Sequence, residues 1–336
     1  MIRSLAQRYL PELDAHMRRV VDSMPAAPEF DVMLRYPLGW VNADGSANHQ
    51  PTGKRIRPIL LLLSTEAAGG DWTAALPAAA AVELLHNFSL IHDDIQDDSP
   101  TRHGRPTVWT VWGRANAINA GDAMFALSYR ALEGLAARMP AEIVLNVYQI
   151  FTQTNLELTR GQHLDMRFER QRRVSVEEYL SMISGKSAAL VAACAQMGAL
   201  IGSRDQDTAR HFADFGLNLG IAFQIRDDIL GIWGDPQVTG KSAATDILAR
   251  KKSLPVLYGL EQDAELTDLY DQEPFDSAHV ERTVQLLNKA GALEYAQATE
   301  TTYYQRALEA LSRAKPIGEA EKGLRLLAET LFQRAY

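Results

Sequence analysis

From Ala78 to Asp98 the chain reads AAAAVELLHNFSLIHDDIQDD, with no glycine or proline to interrupt it. Alanine and leucine favour the helix, and a breaker-free run of this length predicts one. A second segment, FADFGLNLGIAFQIRDDILGIW at 212–233, is apolar and periodic and tolerates its glycines. Short breakers such as AGGDW, ARMP, IGSRD and WGDPQVTG divide similar Ala-, Leu-, Glu- and Arg-rich runs elsewhere. Strand signals are scarce and short. No repeat with a period of about 20–50 residues appears, and no composition shift cuts the chain. The expectation is a single all-α domain over residues 1–336, with an extended loop at about 24–53, where four prolines gather.

Composition narrows the classes further. A hydrophobic share of 46% is ample for a core and excludes a disordered chain. A net charge of −8 carries no nucleic-acid footprint. The single cysteine, Cys194, sits in SAALVAACAQMGAL and reads as a buried small hydrophobe. It has no partner for an internal bridge, so a reducing compartment is the default. The start, MIRSLAQRYLPELDAHMRRVV, carries charges throughout and lacks an apolar signal core. No stretch of about 18 uninterrupted apolar residues occurs, so no transmembrane segment is expected, and the location expected is cytoplasmic.

The two long segments each carry adjacent acids. On a helix, residues four apart share a face. Asp93 and Asp97 then stack, with Asp94 at the flank and His86 two turns back, while Gln224 lies one turn before Asp227 and Asp228. An isolated acidic run is usually a solvated helix end. Here Asp93 and Asp94 follow FSLIH, and Asp227 and Asp228 sit between IAFQI and ILGIW. Uncompensated carboxylates in such surroundings are costly, and like charges so close raise each other's pKa unless a cation offsets them. Mg²⁺ does so directly, taking a few carboxylate oxygens and completing its shell with water and substrate phosphates. Phosphate-binding cations are at hand: Lys54, Arg55 and Arg57 in TGKRIRP, then Arg102, Lys186, Lys241, Lys251 and Lys252. A diphosphate held by magnesium on one side and cations on the other fits this set.

The ordered motifs GKRIRP, LIHDDIQD with a following Arg and GRPT, GK with a hydroxyl residue, FQIRDD, and GK…KKSLP resemble the trans-prenyltransferase family. These are the isoprenyl diphosphate synthases that make geranylgeranyl, farnesyl and longer polyprenyl diphosphates. The resemblance implies an antiparallel helical bundle around a central substrate cavity, the isoprenoid synthase fold, and usually a homodimer. It implies Asp93, Asp94, Asp97, Asp227 and Asp228 as magnesium ligands, with three ions bridging them to an allylic diphosphate. Arg102, Lys186, Gln224, Lys241 and Lys251 would serve that diphosphate or its magnesium shell. Lys54, Arg57, His86 and His103 would bind isopentenyl diphosphate. Magnesium-assisted ionisation leaves an allylic cation that the isopentenyl double bond attacks, so the chemistry needs no catalytic triad.

Two departures stand out. The family usually has a paired Arg-Arg after the first motif, and here the second place is His103, a residue type only partly charged near neutral pH. The usual third acid of the second motif is Gly231. Asp235 lies one further turn on, although Gly234 and Pro236 predict a helix end there. Product length in the family often depends on the fourth and fifth positions before the first acid, here Ser89 and Phe88. A single aromatic at that pair resembles short-chain geranylgeranyl diphosphate synthases, with C20 as the expected product and C15 the runner-up. Two alternatives remain open: a terpene cyclase, which has no need of Lys54, Arg57 and His86, and a non-catalytic regulatory subunit.

Overall fold

Runs without breakers become helices, and the breakers become the joints between them. The computed structural model describes residues 2–48, 53–234, 245–248, 250–270, 272 and 276–333. Among these the only ladder pairs Thr101–Arg102 with Arg105–Pro106 antiparallel, and one isolated bridge joins Val41 to Ala47. The fold is all-α. It divides into two compact units, residues 1–148 with 197–205, and residues 149–196 with 206–336.

The first unit contains α1 (Ile2–Val21), α2 (Pro28–Arg35), α3 (Ile56–Ala67), α4 (Leu76–Gln96), α5 (Val108–Trp112) and α6 (Arg114–Glu133). Every residue from Leu76 to Leu85 is buried, because α1, α3 and α6 all pack on α4. A helix apolar on all sides needs such neighbours. By length and composition the helical runs 72–96 and 176–203 could each cross a membrane, yet 78% and 61% of their apolar windows lie inside the protein. They serve as core.

The stretch expected as an extended loop at 24–53 holds a helix, α2. Pro28 occupies its first turn, Glu29 and Asp31 complement its positive end, and Met33 and Leu34 are buried. Proline is pre-set for that position and acids near an N-terminus are favourable. The prolines there mark a helix start as much as a loop.

The second unit contains α7 (Ala141–Arg170) from Gln149 on, α8 (Val176–Ile183), α9 (Ala189–Ser203) up to Gln196, and α10 (Gln206–Trp233). It continues with α11 (Thr245–Leu248), α12 (Leu254–Gln262), α13 (Ala264–Tyr270), α14 (Ser277–Lys289), α15 (Ala292–Ala314) and α16 (Gly318–Phe332). Between α8 and α9, residues Ser184–Ala188 form a π-helical turn. The glycines within α10 have a packing cause. A Cβ at Gly216 would lie 2.7 Å from the Ala192 Cα, and one at Gly220 would lie 2.7 Å from the Ala188 Cα. On its other side α10 lies along α15. There Arg226 Nε donates to Glu300 Oε1 at 2.7 Å, both side chains being buried. Burial pushes the Glu300 carboxyl up to about 7, against the opposing pull of Arg226. Breaking such a buried pair typically costs about 3–5 kcal/mol, so it pins the rotation of α10 just before Asp227.

Candidate active site

In the first unit the acids sit at the C-terminal end of α4. Asp97 caps the helix, its N–H donating to the Asp93 carbonyl at 2.9 Å. Asp94 is 5% exposed, and its Oδ1 accepts from Arg102 Nε and Nη2, both at 2.8 Å. Burial pushes the Asp94 carboxyl above its usual range, with Arg102 pulling it back and Asp97 adding to the rise. Asp93 is half-buried and Asp97 exposed. Asp98 pairs instead with Arg114 in a left-handed conformation, which separates it from the Asp93–Asp97 face.

The basic residues of this unit gather around His86. Arg57 Nη1 lies 3.2 Å from His86 Nε2. Burial, then the charges of Arg57, Arg102, Arg55 and His103, push the His86 pKa well below the ordinary value. His103 and Gly104 form the turn of the two-residue hairpin, both at positive φ, the type I′ geometry that joins tight strands. Lys54 is exposed. Arg55, offered by the sequence as another phosphate cation, turns inward. It pairs with Glu83 at 2.9 Å and donates to the Leu38 carbonyl at 3.0 Å, anchoring the chain ahead of α3. One turn before Asp93, Ser89 Oγ donates to the His86 carbonyl at 2.8 Å. Phe88 packs on Phe125 of α6 and on His92, with ring centroids 5.0 and 4.7 Å apart.

In the second unit the centre is Asp228, 1% exposed. Its Oδ1 accepts from Gln224 Nε2 at 3.1 Å, and its Oδ2 accepts from the Tyr179 hydroxyl and from the Leu254 N–H at 3.2 Å. Gln224 is itself held by Ser187, whose hydroxyl donates to its Oε1 at 2.6 Å. Ser187 and Lys186 lie in the π turn, a distortion common at functional sites. Lys186 Nζ reaches Asp165 at 2.5 Å. Lys251 Nζ lies 4.0 Å from Asp228 and 3.8 Å from Asp246. Burial alone would lower the Lys251 pKa, but Asp228, Asp246, Asp165 and Asp227 together raise it above the ordinary lysine value. Lys252 turns away to the Phe168 carbonyl at 2.6 Å. Lys241 and Asp235 lie outside the described residues, and α10 ends at Trp233.

A sequence model described as polyprenyl synthetase matches residues 39–287. The chain belongs to the polyprenyl synthetase family. It is therefore a prenyltransferase of the trans-isoprenyl diphosphate synthase kind. It is 41% identical to a geranylgeranyl diphosphate synthase of Mycobacterium tuberculosis, over 93% of this chain and 89% of that one. A (2E,6E)-farnesyl diphosphate synthase of Mycobacterium bovis is 36% identical over 93% of this chain and 83% of that one. The crystal structure of a polyprenyl synthetase from Streptomyces coelicolor A3(2) superposes with a TM-score of 0.90 at 34% identity, covering 98% and 99% of the two chains.

The donor chemistry of this synthetase fits magnesium. All candidate ligands are hard carboxylate oxygens. Mg²⁺ is commonly held this way, by one or two carboxylates with substrate phosphates supplying the rest. Asp228 and Asp94 are buried, with protein donors on both oxygens of the first and one of the second, and Asp93, Asp97 and Asp227 are more exposed to solvent, Asp93 and Asp227 having partners of their own. Spacing along the chain does not reveal Tyr179, Asp165 or Asp246, because each reaches the synthetase's acids or lysines through a tertiary contact. Gly161, one turn before Asp165, lets the Lys186 backbone come close to that helix, another contact that only the fold brings about.

Proposed function

We propose that this chain condenses isopentenyl diphosphate head-to-tail with an allylic diphosphate, giving geranylgeranyl diphosphate (C20) as main product. What carries the reading is the Arg57–His86 pair in the same unit as the Asp93–Asp97 turn. A cyclase acting on one diphosphate has no use for that second basic site. The family model, running from 39 to 287, takes in stretches of both units, which supports one functional domain.

Asp93, Asp94, Asp97, Asp227 and Asp228 are the acids proposed to hold magnesium, with Arg102 fixing Asp94 and Tyr179 and Gln224 fixing Asp228. Bound magnesium neutralises charge growing on the departing diphosphate. Arg102, Lys186, Lys241 and Lys251 add fixed positive charge to the allylic diphosphate, and Gln224 orients Asp228. Lys54, Arg57, His86 and His103 hold isopentenyl diphosphate. His86, kept neutral by burial and then by Arg57, donates or accepts a hydrogen bond without adding charge. Exclusion of water from the allylic cation falls to the apolar helices. Phe88, backed by Phe125, is the proposed stop for the growing chain, and small Ser89 leaves room for a fourth isoprene unit.

A homodimer is part of the reading, supported by large exposed apolar side chains such as Ile118 and Leu145 in one unit and Leu156 in the other. So is a cytoplasmic location, with which the free, buried Cys194 is compatible. The test is incubation of purified protein with Mg²⁺, labelled isopentenyl diphosphate and C5, C10 or C15 allylic primers, followed by chromatography. C20 diphosphate from each primer supports the reading. Cyclic hydrocarbon, or no incorporation with any primer, overturns it.

A further inference from the structure

Lys252 stands apart from the acids. It follows Lys251 directly, yet its Nζ donates to the Phe168 carbonyl at 2.6 Å, at the end of α7. Arg250, on the other side of Lys251, also turns away, donating to the Gln272 carbonyl. One short stretch sends Lys251 towards Asp228 and Asp246, and its two neighbours to the wall of a separate cavity. That cavity lies wholly in the second unit, between the end of α7, the link to α8, and α12 and α13. Its volume is ≈ 730 Å³, within the range of about 300–1,000 Å³ usual for small-molecule sites. Among the described residues, none of the candidate magnesium acids lines it.

The opposite wall comes from the basic run ERQRR at the end of α7, with Arg170, Arg172 and Arg173. In all, the lining holds five cations against three carboxylates. One of those carboxylates, Glu178, is already committed: it accepts from the Ser175 N–H at 2.9 Å and lies 3.8 Å from Arg167. Arg170 and Arg173 are exposed, and among the described residues neither side chain has a hydrogen-bond or ion-pair partner. Scattered exposed arginines would be ordinary surface, but these meet Arg250 and Lys252 from far along the chain on one concave wall. A guanidinium fork matches phosphate oxygens and holds them with paired hydrogen bonds. Beside them, the Gln171 amide oxygen is buried without a hydrogen-bond partner among the described residues, an acceptor that an O–H on a ligand would satisfy. Val174, Leu257 and Leu260 give the cavity an apolar side.

We propose that this cavity is a second anion site, separate from the magnesium centre, which takes the diphosphate group of a small molecule between Arg170, Arg173, Arg250 and Lys252. The site itself does not rest on the prenyl-transfer reading. Only one source of its occupant does, the free diphosphate released at each turnover. The apolar side allows a second source, an organic ester of diphosphate. Either way the bound anion stands one residue along the chain from the lysine that faces Asp228.

The experiment is calorimetric titration of the full-length protein with inorganic diphosphate, in chelator and without Mg²⁺. Without metal the acids of the magnesium centre repel the anion, so binding reports the arginines. Wild type should bind, and more weakly as salt is raised. Arg170→Ala combined with Arg173→Ala should weaken binding about 10-fold or more, the loss expected for charge-assisted hydrogen bonds. The circular dichroism melt and Mg²⁺-dependent turnover of that variant should match wild type. Lys186→Ala, which removes a cation from the proposed active site, should bind diphosphate as wild type does. Binding unchanged in the double arginine variant, or lost in Lys186→Ala, puts the anion elsewhere and overturns the proposal. So does the absence of binding to wild type at millimolar diphosphate. A saturated alkyl diphosphate, which cannot ionise, separates the sources. Tighter binding than inorganic diphosphate marks an organic ester as the occupant, and equal or weaker binding marks the free diphosphate.

Discussion

Arg57 Nη1 sits 3.2 Å from His86 Nε2. A guanidinium can only donate, so the histidine nitrogen accepts and the ring is neutral, with its proton on Nδ1. Protonation in the folded state is opposed by burial and then by Arg57, Arg102, Arg55 and His103.

That pairing sets a pH dependence. The folded pKa of His86 lies well below the ordinary histidine value of about 6.5, so between the two the unfolded chain binds a proton that the folded one does not. Stability then falls as pH drops below about 6.5 and is unaffected by this group above it. His86→Gln should flatten that part of the stability curve relative to wild type, in urea melts between about pH 5 and 7. Identical slopes for the two proteins would mean that His86 takes up its proton at the same pH folded and unfolded.

Metal dependence is the second expectation. A chelator should abolish turnover and added Mg²⁺ restore it. Asp93→Ala and Asp227→Ala should each lower kcat by about 10²–10³ or more, the usual cost of losing transition-state charge stabilisation. Near-normal turnover in either variant removes that acid from the metal site.

Product length tests the aromatic stack beneath the first acids. Phe88→Ala opens the space in front of Phe125 and should give longer products than wild type, while Ser89→Phe should shift the product towards C15. Unchanged chromatograms for both variants would place the floor of the pocket on another residue.

Tyr179→Phe isolates the support of a buried carboxylate. Asp228 loses one donor to Oδ2 and keeps only the Leu254 N–H there. Leaving a buried acceptor short of a partner costs about 1–3 kcal/mol. The denaturation midpoint should fall accordingly, and kcat with it, because Asp228 is then free to turn. A midpoint equal to wild type would show that water replaces the hydroxyl.

At position 103 the backbone bears on the chemistry. His103 has φ 51°, a conformation that histidine visits more readily than most side chains. His103→Arg should lower the KM for isopentenyl diphosphate by adding a full charge, with a small loss in Tm from placing arginine there. A KM that stays constant would show the side chain pointing away from the substrate.

The long helices were legible because nothing in 78–98 competes with helix, and Gly216 and Gly220 fall where backbones approach rather than where the helix ends. The short α2 was hidden, since Pro28 at its start looks the same in a loop. Local spacing also placed Gln224 one turn from Asp228, and the two are bonded. Sequence adjacency could not tell which of Lys54, Arg55 and Arg57 turns inward, nor which of Lys251 and Lys252 faces the acids. That choice depends on Glu83 and on the Phe168 carbonyl, both far away along the chain. Asp246 was invisible for the same reason: it meets Lys251 and the Gly231 turn of α10 only in the fold.

The π-helical turn at Ser184–Ala188 makes the chain's length there as important as its composition. Each residue of a regular helix advances the rotation by about 100°. Removing one residue to regularise the turn would swing Ser187 or Lys186 off the side that meets Gln224 and Asp165, whatever amino acids remained. An insertion or deletion across Ser184–Ala188 should therefore impair the site even where Lys186 and Ser187 are kept, and a count of residues across this stretch is as firm a signature of a working site as the lysine it carries.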